Sequence, residues 1–203
     1  MPPSTHVRTD TVPLDQLQPF PGNARRGDVE LILSSLKRNG QYRGLVARHV
    51  QPDGPLVVLA GNHTLQALQL HGAGACDYRA THQGEERPCG VCQGEDWTPA
   101  ARVEVIVCDD DTARRINLVD NRANDVGDYD RDALAELLSY LDDDGFEGTG
   151  YTEAEVRQIA HAVPPLEEGE EEFPQFGEDI PTEYQCPKCS YTWSGKPAPG
   201  AGE

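Results

Sequence analysis

The sequence predicts an α+β fold: a small mixed β-sheet with flanking helices, a C-terminal helical extension and a zinc-knuckle tail. Three observations carry this expectation. Two apolar runs, 45–50 and 56–60, are separated by the turn residues Pro52-Asp53-Gly54-Pro55, the pattern of a hairpin. Apolar residues recur at helical spacing in 29–36, 65–70 and 134–141. After Val163 the apolar pattern stops, and a Glu-rich run precedes a Cys-x-x-Cys pair at Cys186 and Cys189.

Taken in order, residues 1–11 read as a loose, disordered tail, and 12–17 as a short strand or turn entering the domain. Residues 19–27 form a loop punctuated by Pro and Gly. Asp28 sits where an N-cap belongs, ahead of a helix that ends near Asn39-Gly40. The 45–60 hairpin follows. Gly61 then lets the chain turn directly into a helix closed by Gly72. Residues 73–101 form a polar, Gly-rich insert holding Cys76, His82, Cys89 and Cys92. An alternating strand over 102–108 comes next, and Asp109-Asp110-Asp111 caps a helix reaching about residue 120. The extension, 126–163, holds a helix over 130–141 and another opened by the capping box of Thr152 and Glu155. Asp142-Asp143-Asp144 reads as a solvated helix end. The domain thus covers 12–125, with 164–180 an acidic linker, 181–196 a ribbon-like knuckle and 197–203 a disordered tail.

Charge limits the function. The chain of 203 residues carries a formal charge of −18, yet residues 1–50 hold seven Lys or Arg against four Asp or Glu. A protein that coats nucleic acid without specificity is basic, because phosphate neutralisation supplies most of that affinity. Contact with a nucleotide or DNA must therefore use the local cluster Arg25, Arg26, Lys37, Arg38, Arg43 and Arg48. No run of apolar residues is long enough to span a membrane, and no secretory signal is visible at the N-terminus. The expected setting is cytoplasmic, where disulfides are rare and cysteines serve as thiols or metal ligands.

The strand–glycine–helix turn at 56–70 is the most informative local feature. The first N–H groups of the helix, at Asn62, His63 and Thr64, lack intrahelical partners and offer an anion site. His63 and Thr64 add side-chain donors, and Arg25 or Arg26 can supply counter-charge. An ordinary Asn-capped helix with an exposed His63 is the alternative. A divalent ion would need carboxylates, for which Asp28, Glu30 and Asp120 with Asn121 are the candidates.

The order of motifs resembles the ParB/sulfiredoxin-like superfamily, especially the short ParB-like nuclease-domain proteins of bacteria and phages. The residues that carry it are Pro21-Gly22-Asn23-Ala24-Arg25, Asn39-Gly40, Ala60-Gly61-Asn62-His63-Thr64-Leu65-Gln66-Ala67 and Leu118-Val119-Asp120-Asn121-Arg122. The resemblance implies a nucleotide-binding or DNA-associated module, with magnesium accompanying the nucleotide. In ParB proteins the turn reads Gly-Glu-Arg-Arg-x-x-Ala; here Asn62, His63 and Thr64 replace the acid and both arginines. In sulfiredoxins a catalytic Cys stands where Asn62 is, so that nucleophile is missing. Residues 126–163 offer two acidic helices where a chromosome-segregating ParB carries a helix-turn-helix.

Cys89-Gly90-Val91-Cys92 and Cys186-Pro187-Lys188-Cys189 each fit two corners of a tetrahedral zinc, and together they make a four-thiolate structural site. The rival set is Cys76, His82, Cys89 and Cys92, all within the insert; Cys108 reads as core. Three functional readings follow. The chain is a ParB-like nucleotide-binding or DNA-associated module; or a metal-dependent nuclease or NTPase using residues 61–64; or a zinc-stabilised protein–protein adaptor.

Overall fold

The apolar run at 56–60 sits at the centre of the architecture. In the structure, a computed structural model that describes residues 4–51, 54–82, 84–141, 145–162 and 184–193, it forms strand β4, Leu56–Ala60, buried along its whole length. Alternate side chains of a strand point to opposite faces. Accordingly Leu56 and Val58 join one apolar cluster, with Leu36, Leu65 and Leu68, while Val57 and Leu59 join another with Ala113. Both faces are covered, so the sequence is continuously apolar rather than alternating.

The sheet has five strands in the order β1-β7-β3-β4-β2, where β1 is Thr5–Pro13, β2 Leu17–Pro19, β3 Leu45–His49 and β7 Ala100–Val107. It is mixed: β3 is antiparallel to β4 and parallel to β7, β2 is parallel to β4, and β1 is antiparallel to β7. Helices α1, Val29–Asn39, and α2, Asn62–His71, cover the first cluster. Helix α3, Asp110–Val126, covers the second through Ala113 and Ile116. Helices α4, Arg131–Ser139, and α5, Glu153–Ala162, follow. The insert contains a small hairpin of β5, Arg79–His82, and β6, Glu85–Pro88.

The expected caps are present. Asp28 accepts from the Leu31 amide at 2.9 Å and Asp109 from the Thr112 amide at 2.7 Å. The Thr152 amide donates to Glu155 at 2.8 Å while Glu155 N–H donates back to the Thr152 hydroxyl at 3.3 Å. Each cap of this kind stabilises its helix by roughly 1 kcal/mol.

Two expectations need correction. Residues 5–11 are not a loose tail, because β1 begins at Thr5. Its side chains are almost all exposed, and the backbone ladder to β7 from Thr5↔Val107 to Pro13↔Ala100 holds it. A strand held by main-chain bonds at a sheet edge leaves little hydrophobic pattern to read. Helix α3 also runs on to Val126, beyond the expected end near 120. The acidic linker at 164–180, the tail at 197–203 and Asp142-Asp143-Asp144 lie outside the described residues.

The chain divides into two units, 1–163 and 164–203. In the second, β8, Tyr184–Gln185, pairs antiparallel with β9, Thr192–Trp193, around the Cys186–Cys189 turn. No helix among the described residues is long and apolar enough to cross a membrane.

Candidate functional site

Helix α2 is ten residues long, about 15 Å at 1.5 Å per residue, and each end carries a candidate site. At its N-terminus Gly61 adopts φ +88°, and a Cβ there would sit 2.7 Å from the Leu45 side chain. Only glycine meets both demands. The Leu65 amide donates to the Gly61 carbonyl at 3.0 Å, so the amides of Asn62, His63 and Thr64 precede the helical ladder. No side chain caps them among the described residues. They line a cleft of about 270 Å³ together with Asn23, Arg25, Asp28 and Asn121.

The side chains of this turn dock the loop that faces it. Buried Asn62 accepts the Phe20 amide at 2.8 Å. His63 Nε2 lies 2.9 Å from the Gly27 amide and 3.1 Å from the Arg25 carbonyl. Asn121 Nδ2 donates to Asn23 at 3.1 Å and to the Asn117 carbonyl at 2.9 Å, and buried Asn117 donates to the Leu59 carbonyl at 2.9 Å. Asn117 is a positioning residue absent from the sequence reading; its signal is its place four residues before Asn121, on the same face of α3. A second depression, about 550 Å³, adjoins the cleft and shares Arg25 and Asn121 with it.

The basic cluster is not a free positive surface. Arg25 donates to Asp125 at 2.8 Å and to the Asn121 carbonyl at 2.6 Å, and Arg43 to Asp120 at 2.9 Å. Arg48 is buried, pairs with Asp110 and donates to the Cys108 carbonyl at 3.0 Å; Arg38 faces Glu147 at 3.8 Å. Arg26 is exposed. The local excess of positive charge in 1–50 is thus largely met by carboxylates from 101–163. Of the carboxylates considered for a divalent ion, Asp28 caps α1 and Asp120 pairs with Arg43, while Glu30 is exposed in the first turn of α1.

At the other end of α2, ligand atoms of His71, Cys76, Cys89 and Cys92 all lie within 4.8 Å of one another. His71 Nε2 is 3.4 Å from Cys89 Sγ, and the sulfurs of Cys76 and Cys92 are 3.6 Å apart. His71 Nδ1 lies 2.8 Å from the Gly72 carbonyl, a contact that requires Nδ1–H and leaves the Nε2 lone pair facing the sulfurs. The Val91 amide approaches Cys89 Sγ at 3.4 Å. Burial pushes the Cys89 thiol up. Burial would do the same to Cys92, but the amides of Gly94 and Cys76 and the neighbouring thiols bring it down to about 6. His71 meets Trp97 edge-on, with ring centroids 5.2 Å apart.

The structure brings Cys89 and Cys92 together with Cys76, and adds His71, which the sequence reading did not single out. His82 stands in β5, opposite Glu85. The signal for His71 is the spacing His-x4-Cys-x12-Cys-x2-Cys, hidden because His71 belongs to a helix and the cysteines to the insert. In the second unit, the Cys186 amide donates to the Tyr191 carbonyl at 2.8 Å and the Ser190 amide to the Cys186 carbonyl at 2.9 Å. The amides of Lys188 and Cys189 hold the Cys186 thiol below its usual range.

No protein-family model matches the sequence, and no curated protein matches it. Among solved structures the chain is similar to the C-terminally truncated chromosome-partitioning protein ParB from Caulobacter crescentus complexed with CTP-gamma-S. The TM-score is 0.52 at 17% identity, over 78% of this chain and 81% of that one. A second structure of that truncated ParB, complexed to the centromeric parS site, aligns with a TM-score of 0.37 at 18% identity, over 75% of this chain and 70% of that one. The fold is ParB-like, a mixed sheet with flanking helices.

Proposed function

We propose that the chain is a nucleotide-binding, DNA-associated module in which the Gly61 turn receives the phosphates of a nucleoside triphosphate. The observation that carries this reading is the set of uncapped α2 amides opening into a cleft lined by Arg25. It is supported by the ParB-like fold and by the Caulobacter ParB, which is complexed with CTP-gamma-S. The 270 Å³ cleft falls below the roughly 300–1,000 Å³ of ordinary ligand pockets, and the adjoining 550 Å³ depression gives room for a nucleoside. Arg25, Arg26, Gly61, Asn62, His63 and Thr64 form the proposed site, with magnesium bridging phosphate oxygens when the nucleotide is bound. In this reading the thiolates hold a structural zinc, and the setting is the bacterial or phage cytoplasm during DNA transactions.

Affinity is modest. A hydrogen bond to a charged group contributes about 1.5–3 kcal/mol and a neutral one about 0.5–1.5. Replacing two arginines by His63 and Thr64 therefore weakens triphosphate binding by on the order of a hundredfold relative to the arginine-bearing turn. Calorimetry of the full, metal-loaded chain with CTP, ATP and a short DNA duplex in turn, all with magnesium, tests the reading. The expected result is saturable nucleotide binding with NMR shifts at Asn62–Thr64. Unchanged resonances at these residues under every nucleotide would overturn it.

A further inference from the structure

We infer that one structural zinc(II) is held by His71 Nε2 and the thiolates of Cys76, Cys89 and Cys92, a ligand set complete within residues 71–92. The inference rests on the reading that these thiols serve a metal, and it fixes which of them do. Ligands at zinc distances of about 2.0–2.3 Å, arranged tetrahedrally, stand roughly 3.5–3.8 Å from one another. Two of the six separations, 3.4 Å for His71 Nε2 to Cys89 Sγ and 3.6 Å for Cys76 to Cys92, are close to such edges, and all six lie within 4.8 Å. The Cys76–Cys92 distance is far beyond the roughly 2.05 Å of a disulfide. His71 is held in the tautomer that a ligand requires, its Nδ1–H directed at the Gly72 carbonyl. Three soft thiolates and one imidazole suit zinc, and four ligands close a structural site. Such a site leaves no position for Cys186 or Cys189.

The surroundings give the ion a task. The Gly90 amide in the Cys89–Cys92 turn donates to the Lys37 carbonyl at the end of α1. A Cβ on Gly90 would lie 2.8 Å from Gly40 Cα and 3.0 Å from the Leu36 carbonyl. The turn therefore packs backbone against backbone on the C-terminus of α1, while His71 is the last residue of α2. Val91 and Trp97 from the insert reach the main apolar cluster. The zinc clasps the C-terminal ends of both helices to a polar insert that has little apolar surface of its own.

Elemental analysis and cobalt(II) spectroscopy of the full chain test this. The expected result is zinc in the purified protein, with one zinc per chain kept by the double variant Cys186→Ser/Cys189→Ser. The cobalt derivative of that variant should give the spectrum of three thiolates and one imidazole. His71→Cys should keep the metal and move the cobalt bands to those of four thiolates. Loss of zinc on replacing Cys186 and Cys189 would overturn the inference, as would purified protein containing iron or no metal. A cobalt spectrum of four thiolates in the chain with His71 intact would do the same, and that measurement needs no variant to fold. None of these readouts involves a nucleotide, so the zinc site and the phosphate cleft fail or stand separately.

Discussion

The two ends of α2 solve the problem of a helix terminus by different chemistry. At the N-terminus three amides stay open to a cleft, and asparagine and histidine side chains turn away to bind the facing loop. At the C-terminus the last residue, His71, turns into a cluster of sulfurs, and Gly72 leads the chain into the insert. The body of the helix is held by apolar packing, with Leu65, Ala67 and Leu68 buried in the main cluster and buried Asn62 anchoring the first turn. The C-terminal end faces an insert whose hairpin is mostly exposed. Amides can be left uncapped where the core already holds the backbone, and the proposed zinc would do the holding where the core gives out.

Removing the proposed zinc should give the largest effect. Structural zinc contributes apparent free energies of about 10–16 kcal/mol in small peptides, comparable with the roughly 5–15 kcal/mol stability of a whole domain. Chelation at neutral pH should lower the melting temperature and strip hydrogen-exchange protection from residues 84–98, while 56–66 keep most of theirs. If both regions lose protection together, the two ends form one cooperative unit and the contrast between them fails.

That contrast also explains what was legible in the sequence. The buried run of β4 and the glycine after it were readable because their causes are local: a strand covered on both faces, then a positive φ. Strand β1 was not, since backbone pairing with residues about 100 positions away leaves its side chains exposed. The arginine cluster was visible, but its neutralisation was not: Arg25, Arg43 and Arg48 find their carboxylates 100, 77 and 62 positions further on. Cys89 and Cys92 suggest metal ligands by spacing alone, while His71 gives no such signal because it ends a helix.

A glycine pair separates packing from backbone strain. Gly61→Ala meets both a left-handed φ and the Leu45 side chain 2.7 Å away. Gly72 also has a positive φ, +76°, but nothing lies within 4 Å of its Cβ position. Backbone strain costs about 1–3 kcal/mol, toward the upper end at Gly72, whose ψ of 173° lies outside the left-handed basin that Gly61 occupies, and overpacking adds roughly 1–3 at Gly61 alone. Urea denaturation should show the larger loss for Gly61→Ala at an unchanged slope. Equal losses would mean that Leu45 relaxes freely and that φ alone selects the glycine.

Asn62→Ala should be milder. It leaves the Phe20 amide without the acceptor now 2.8 Å away, at about 1–3 kcal/mol for an orphaned donor. Exchange of that amide should accelerate while the zinc content stays constant, which confines the change to the N-terminal end. A loss of zinc would show that the loop at 20–27 and the insert are coupled through α2.

The smallest effect concerns the charge balance of the cleft. Arg25 is bound to Asp125 at 2.8 Å with both side chains partly exposed, a pairing that contributes about 0–1 kcal/mol to stability. Asp125→Asn should leave the fold intact, because Arg25 keeps the Asn121 carbonyl at 2.6 Å. It makes the cleft one charge more positive, so CTP affinity should rise about two- to fivefold at low salt. Screening shortens to about 3 Å at 1 M ionic strength, and there the gain should vanish. Arg25→Gln should move affinity the other way, by more, because it removes the counter-charge itself. If Asp125→Asn changes nothing while Arg25→Gln abolishes binding, Arg25 reaches the phosphates through the N–H groups it does not share with Asp125. If neither substitution alters affinity, the phosphates do not sit beside Arg25, and the N-terminal end of α2 is a docking point for the loop alone.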